Sequence, residues 1–199
     1  MIFHRGFIFR YFDFFSSFKN KYLCSFTLCL SYAGQKFAPG AMTAERLDGL
    51  LAAKIVSHVL VVSDVDAKDV GIVFLYLHEL ELAFYYYAFY DLNYFKQSLG
   101  MYMMTAAVIE LQKRSFKHVY LGSCYSKNAL YKTQFQGAQF FTGFRWSDNL
   151  EELKFLLERD SGLVTQHLLE NQGYLKEFYN SELGSIKSSF KLKNSYGNN

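Results

Sequence analysis

The sequence has little of what usually punctuates or staples a chain. Among 199 residues there is one proline, Pro39, and there are three cysteines, Cys24, Cys29 and Cys124. Three thiols cannot build a disulfide framework, and the close pair Cys24 and Cys29 has no second ligand pair of matching spacing to complete a zinc module. Half-buried structural thiols in a reducing compartment are therefore expected, which implies a cytoplasmic location. No apolar run reaches the roughly 20 residues that a membrane span requires. Arg10, Asp13 and Lys19 also interrupt any signal-peptide core in the aromatic N-terminus. Excess charge is scarce as well: a net charge of +3 permits a polyanionic partner without demanding one. The acidic stretch from Asp64 to Asp69 lacks the glycine and the distal glutamate of a calcium loop, so a solvated turn is expected and no metal site.

Aromatic residues, by contrast, are abundant, at 19% of the chain. Rings with polar tips suit sheets, and they suit pockets that stack planar ligands. The length allows one well-buried domain. Residues 1–40 are expected to form an N-terminal extension with a first strand over Tyr22–Tyr32, and Gly34–Gly40 a loop. Residues 41–183 form the main domain. Residues 184–199, rich in Ser, Lys and Asn, are expected to be a disordered tail. Thr43 with Glu45 signals a helix start, with Leu47, Leu50 and Leu51 on its buried face. Val56–Ser63 and Gly71–His78 read as two strands around the acidic turn. Asp148 with Glu151 reads as the cap of a later helix.

The informative stretch runs from Leu82 to Trp146. An aromatic strand stops at Asp91, and a polar loop follows. Ser98 then opens a helix whose buried side is expected to be Met101, Met104, Thr105, Val108 and Leu111. A second strand, Lys117–Gly122, a helix around Ala129–Lys132 and a third aromatic run to Trp146 complete the pattern. The expectation is an α/β (α+β) fold with a central mixed or antiparallel sheet flanked by helices and a crevice at strand ends. Ser98 is either a simple cap or the start of an anion- or oxyanion-binding helix end, and Gly100 permits close approach of a ligand or of the sheet. Asp91 either caps the turn or faces the crevice.

Strand, loop, helix and strand in this order resemble the GNAT acyltransferase superfamily. Gln97-Ser98-Leu99-Gly100-Met101-Tyr102 matches the first half of its pyrophosphate-loop pattern and puts a bulky Tyr102 where a small residue belongs. The combination of Phe89-Tyr90-Asp91, Ser98-Leu99-Gly100, Tyr120-Leu121-Gly122 and Tyr131-Lys132 resembles the C-terminal domain of arginyl-tRNA–protein transferases and their leucyl/phenylalanyl relatives. That resemblance covers residues 82–146; the family's N-terminal cysteine motif is absent.

The resemblance implies an aminoacyl-tRNA–protein transferase with a GNAT-like fold. Such an enzyme moves an amino acid from aminoacyl-tRNA to the N-terminal amine of acceptor proteins beginning with Asp or Glu, creating a degradation signal. No cofactor is needed, since aminoacyl-tRNA is the donor substrate, and the amine attacks the ester directly. Asp91 would orient or deprotonate the amine, and the backbone at Ser98 and Gly100 would stabilise the oxyanion. Tyr90, Tyr120, Tyr131, Lys132 and Trp146 would bind the RNA end or the acceptor. The competing readings are an acetyl-coenzyme A-dependent N-acetyltransferase and an inactive RNA- or protein-binding relative.

Overall fold

Five strands form the main sheet of the computed structural model, which describes residues 7–13 and 22–181. They are β1 (Ile8–Asp13), β2 (His58–Ser63), β3 (Asp69–His78), β4 (Leu82–Tyr90) and β5 (His118–Tyr120), lying side by side in chain order. The first four pair antiparallel and β5 runs parallel to β4. A parallel neighbour needs a crossover, and α3 (Leu99–Lys113) supplies it. The chain is thus a mixed α/β fold in the order that the GNAT resemblance implies.

Helices cover both faces of this sheet. Helices α1 (Tyr22–Lys36) and α2 (Ala44–Ala52) cover one, where Cys29, Ala33, Leu47 and Leu51 pack with Val59, Val61, Ile72, Phe74 and Phe89. Each of the Val, Leu, Ile and Phe side chains contributes about 1.5–3 kcal/mol on burial. Against the other face lies α3, with Leu99, Met103, Met104, Ala107 and Leu111 buried. The contact is close at Gly71, where a Cβ would stand 2.7 Å from Met103 Sδ. The buried face of α3 is thus rotated from the expected one: Met101, Thr105 and Val108 are only half-buried.

The expected first strand over Tyr22–Tyr32 is a helix. Ser25, Cys29 and Ala33 are buried at intervals of four, the period of a helix face, and Gly34 is absorbed into the helix instead of opening a loop. The first strand comes earlier, at Ile8–Asp13, and forms the sheet edge. The expected disordered tail lies outside the described residues.

The chain divides into two compact units, Met1–Gly122 and Ser123–Asn199. In the second, the helix expected around Ala129–Lys132 is a 3-10 helix, Lys127–Gln134, and β6 (Phe140–Phe141) pairs with β7 (Trp146–Ser147). Helix α4 (Leu150–Asp160) is capped by Asn149, not by Asp148: the Asn149 side chain accepts from the N–H groups of Glu151 and Glu152. With α5 (Gln172–Tyr179) this unit buries Leu168, Tyr174, Leu175 and Tyr179.

Candidate functional site

Strand β4 carries the features that make a site. Phe74 pairs with Tyr87 and Leu75 with Tyr85, so Tyr86 is an extra residue with no partner on β3. Such a bulge bends a strand and reverses which side chains face which layer. On its other edge β4 pairs with β5 only at Leu82, Ala83 and Phe84. The Asp91 N–H donates to Val70 O at 2.8 Å, on the β3 side. Strand N–H groups alternate in direction, so those of Tyr90 and Ala88 point to the opposite edge, where β5 no longer pairs. A gap in the ladder, edged by backbone donors without a strand partner, therefore runs from the bulge toward the end of β4.

The gap leads to the start of α3. A 3-10 helix, Leu92–Gln97, joins the two elements, and Asp91 is its cap. Asp91 Oδ1 accepts from the Asn93 N–H at 3.0 Å, and Oδ2 lies 3.4 Å from Lys68 Nζ on the β2–β3 turn. Ser98 occupies the cap position of α3 but makes no side-chain cap bond, because its backbone is left-handed, at φ 55° and ψ 37°. The first helical bond is Tyr102 N–H to Ser98 O. The N–H groups of Leu99, Gly100 and Met101 precede it, outside the helical ladder and at the positive end of the helix dipole. They are the groups available to an anion.

Gly100 is explained by packing: a Cβ there would meet Tyr90 Cε1 at 2.9 Å. The space beside it is taken by the Tyr90 ring, and an anion would be held by backbone alone. Tyr90 is buried, with its ring 4.9 Å from that of Tyr32, and burial first of all pushes its phenol up. The Tyr102 ring packs on β1 and the residue before it, 5.4 Å from Phe7 and 5.2 Å from Phe9.

The β2–β3 turn fastens this junction. Tyr94 OH, on the 3-10 helix, donates to Asp64 Oδ2 at 2.8 Å, and Asp64 Oδ1 accepts from the N–H groups of Asp66 and Lys68. The Tyr94 hydroxyl is the main reason that the Asp64 carboxyl is held below its ordinary range, and the same bond raises the Tyr94 phenol. Arg10 of β1 adds contacts to Ser63 and Asp69. The acidic stretch is a hydrogen-bonded turn that anchors the β4–α3 connection. Among the described residues no group of three or more His, Cys, Asp and Glu is placed to hold a metal ion, and no helix is long and apolar enough to cross a membrane.

Of the residues singled out from sequence, Tyr90, Asp91, Ser98 and Gly100 thus meet at one junction. Tyr120 does not join them. It pairs with Phe84, six residues before Tyr90, or roughly 20 Å along an extended strand, and is 43% exposed. Tyr131, Lys132 and Trp146 belong to the second unit. There Lys132 Nζ donates to Ser123 O at 2.7 Å, with burial lowering its pKa and the neighbouring Cys124 opposing the shift. Trp146 is half exposed, its ring 5.4 Å from that of Phe141.

Sequence reading missed two arrangements. One is the bulge at Tyr86, which no residue type announces. The other is a carboxylate cage in the second unit. Glu152 is fully buried and accepts from Ser147 Oγ at 2.5 Å, Tyr174 OH at 2.5 Å and Tyr179 OH at 2.7 Å, with Arg145 Nη2 at 3.5 Å. Burial pushes this carboxyl up, but the three hydroxyls and Arg145 outweigh it and hold it below its ordinary range.

No protein-family model matches the chain, and no curated protein does. Among solved structures it is similar to an aminoglycoside acetyltransferase from an uncultured soil metagenomic sample. The complex with trehalose has 16% identity over 70% of this chain and 97% of that one, at a TM-score of 0.41. The complex with sisomicin has 18% identity, the same coverage and a TM-score of 0.39. Glucosamine-6-phosphate N-acetyltransferase from Arabidopsis thaliana has 15% identity over 70% and 99%, at 0.37. Likeness at this level has no bearing on substrate or reaction.

Proposed function

We propose that this chain is an acyltransferase that holds its acyl donor in the gap beside β4 and transfers the acyl group to an amine. The carrying observation is the gap itself: β4 bulges at Tyr86, parts from β5 after Phe84 and delivers the chain to a helix start. An acyl carbonyl lying along that edge would meet the N–H groups of Ala88 or Tyr90, which favour the oxyanion formed when an amine attacks. The anionic carrier would lie at the first N–H groups of α3.

Two carriers fit this scheme. Acyl-coenzyme A is our main reading, because the Tyr102 ring is engaged by Phe7 and Phe9 and the first N–H groups of α3 suit a pyrophosphate. Aminoacyl-tRNA, with transfer to protein N-termini, is the second, since backbone N–H groups at a helix start suit a terminal RNA phosphate as well. In that reading Asp91 would have to give up its cap and its pairing with Lys68 to act on the amine. The test compares donors. Coenzyme A should raise the melting temperature by mass action, and labelled acetyl should pass from acetyl-coenzyme A to small amines. Transfer only from charged tRNA to peptides beginning with Asp or Glu would replace the first reading by the second. No transfer from either donor would overturn the proposal.

A further inference from the structure

We infer that the strip of sheet leading to the Tyr86 bulge binds a planar aromatic amine, the acceptor of the proposed transfer. The inference rests on the acyltransfer reading for the reaction, but its binding half stands by itself. Two registered rows cross β3, β4 and β5: His78, Leu82 and His118 in one, Tyr76, Phe84 and Tyr120 in the next. Residues directly opposite one another on adjacent strands share a face, so these six side chains form one surface. Further along β3, Phe74 faces the same way and is buried under α1 and α2. Beyond it the helical layer ends: Tyr76 is 38% exposed, Leu82 37% and Tyr120 43%, and both histidines are exposed. Neither imidazole has a hydrogen bond or ion pair among the described residues.

The strip is continuous with the gap. The Phe84 ring lies 5.1 Å from Tyr120 on one side and 5.1 Å from Tyr86, the bulge residue, on the other. A flat ring laid on Phe84 and Tyr120 would gain the aromatic contact that these positions leave to water. Two residues along a strand span about 7 Å, so an amine on a two-carbon tether would reach the bulge, the mouth of the gap along which the acyl carbonyl is expected. The amine nitrogen then forms a bond to the acyl carbon, the carbon–sulfur bond of the thioester breaks, and the amine's proton leaves with the thiol. The acceptor class is therefore an arylalkylamine.

Ligand-detected NMR on the full chain tests this with tryptamine, hexylamine and adenosine. Tryptamine should bind through its ring protons, with hexylamine weaker by about tenfold or more. Tyr120→Leu, which keeps apolar bulk and lacks the ring, should weaken tryptamine by about tenfold. Tyr76→Ala should also weaken it, whereas Tyr125→Ala, 87% exposed in the other unit, should leave it unchanged. Equal binding of hexylamine, no effect of Tyr120→Leu, or tighter binding of adenosine than of tryptamine would each overturn the inference. Tryptamine bound by the strip without acetyl transfer would keep the strip and sink the acyltransfer reading. Acetyl transfer to aliphatic amines with no tryptamine binding would do the reverse.

Discussion

Gly100 and Tyr90 share one volume: a Cβ at residue 100 would stand 2.9 Å from Cε1 and 3.2 Å from the hydroxyl oxygen of the tyrosine. The first turn of α3 rests on the last residue of β4 through that missing side chain. The geometry of the candidate site depends on this contact, because it fixes where the free N–H groups of the helix lie relative to the strand end.

Gly100→Ala should therefore destabilise the chain even though alanine is the better helix former. The helical gain is at most about 1 kcal/mol, and pressing a methyl group into a filled space costs about 1–3 kcal/mol. A net loss of about 1–2 kcal/mol in urea unfolding is expected. Pairing the change with Tyr90→Leu should recover part of it, as a coupling of about 1 kcal/mol in a double-mutant cycle. Simple additivity would show that the two residues do not compete for space.

Much of this arrangement is legible in the chain, and the exceptions have physical causes. The strands around the Asp64 turn and the break at Asp91 follow from period-two patterning bounded by turn residues. So does the aromatic strand itself, until Tyr86 inserts one residue and reverses its faces. Helix α1 reads as a strand because Phe26, Leu28, Leu30 and Tyr32 flank the buried row and pack half-buried on the same core, which blurs a period of four into loose alternation. The cap of α4 went to Asp148 because Asp and Asn cap equally well and are adjacent here. Of the candidate site, Tyr90, Asp91, Ser98 and Gly100 were found from a continuous motif. Their anchors Asp64, Lys68 and Tyr94 were not, since contacts across some 30 positions leave no local pattern.

The Glu152 cage makes a prediction about acid. The ordinary value for its carboxyl is 4.5, and in the folded chain it is lowered. A carboxyl that ionises more readily when folded adds stability above its unfolded pKa, and this is lost as the pH falls through the lower folded value. The second unit should thus lose stability below about pH 4.5. Glu152→Gln removes the charge and leaves Arg145 without its carboxylate, at a cost of about 3 kcal/mol, and should flatten that acid dependence. Tryptophan fluorescence from Trp146 reports it. An unchanged acid limb in the variant would place the titrating group elsewhere.

Ser98 offers the last test, because its position and its conformation point in opposite directions. At an ordinary helix start, Ser→Gly costs a few tenths of a kcal/mol by losing the cap bond. Here there is no such bond to lose, and the left-handed backbone costs a side-chain-bearing residue about 1–2 kcal/mol. Glycine removes that strain and gives back about 0.5–1 kcal/mol through the greater freedom of the unfolded chain. Ser98→Gly should therefore stabilise by about 0.5–1 kcal/mol, and Ser98→Ala should change stability by less than about 0.5 kcal/mol. Since α3 would keep the same N–H groups, donor binding should survive both changes. A loss of 1 kcal/mol or more in both variants would mean that the hydroxyl caps the helix in solution and that the left-handed geometry is not the one the chain adopts.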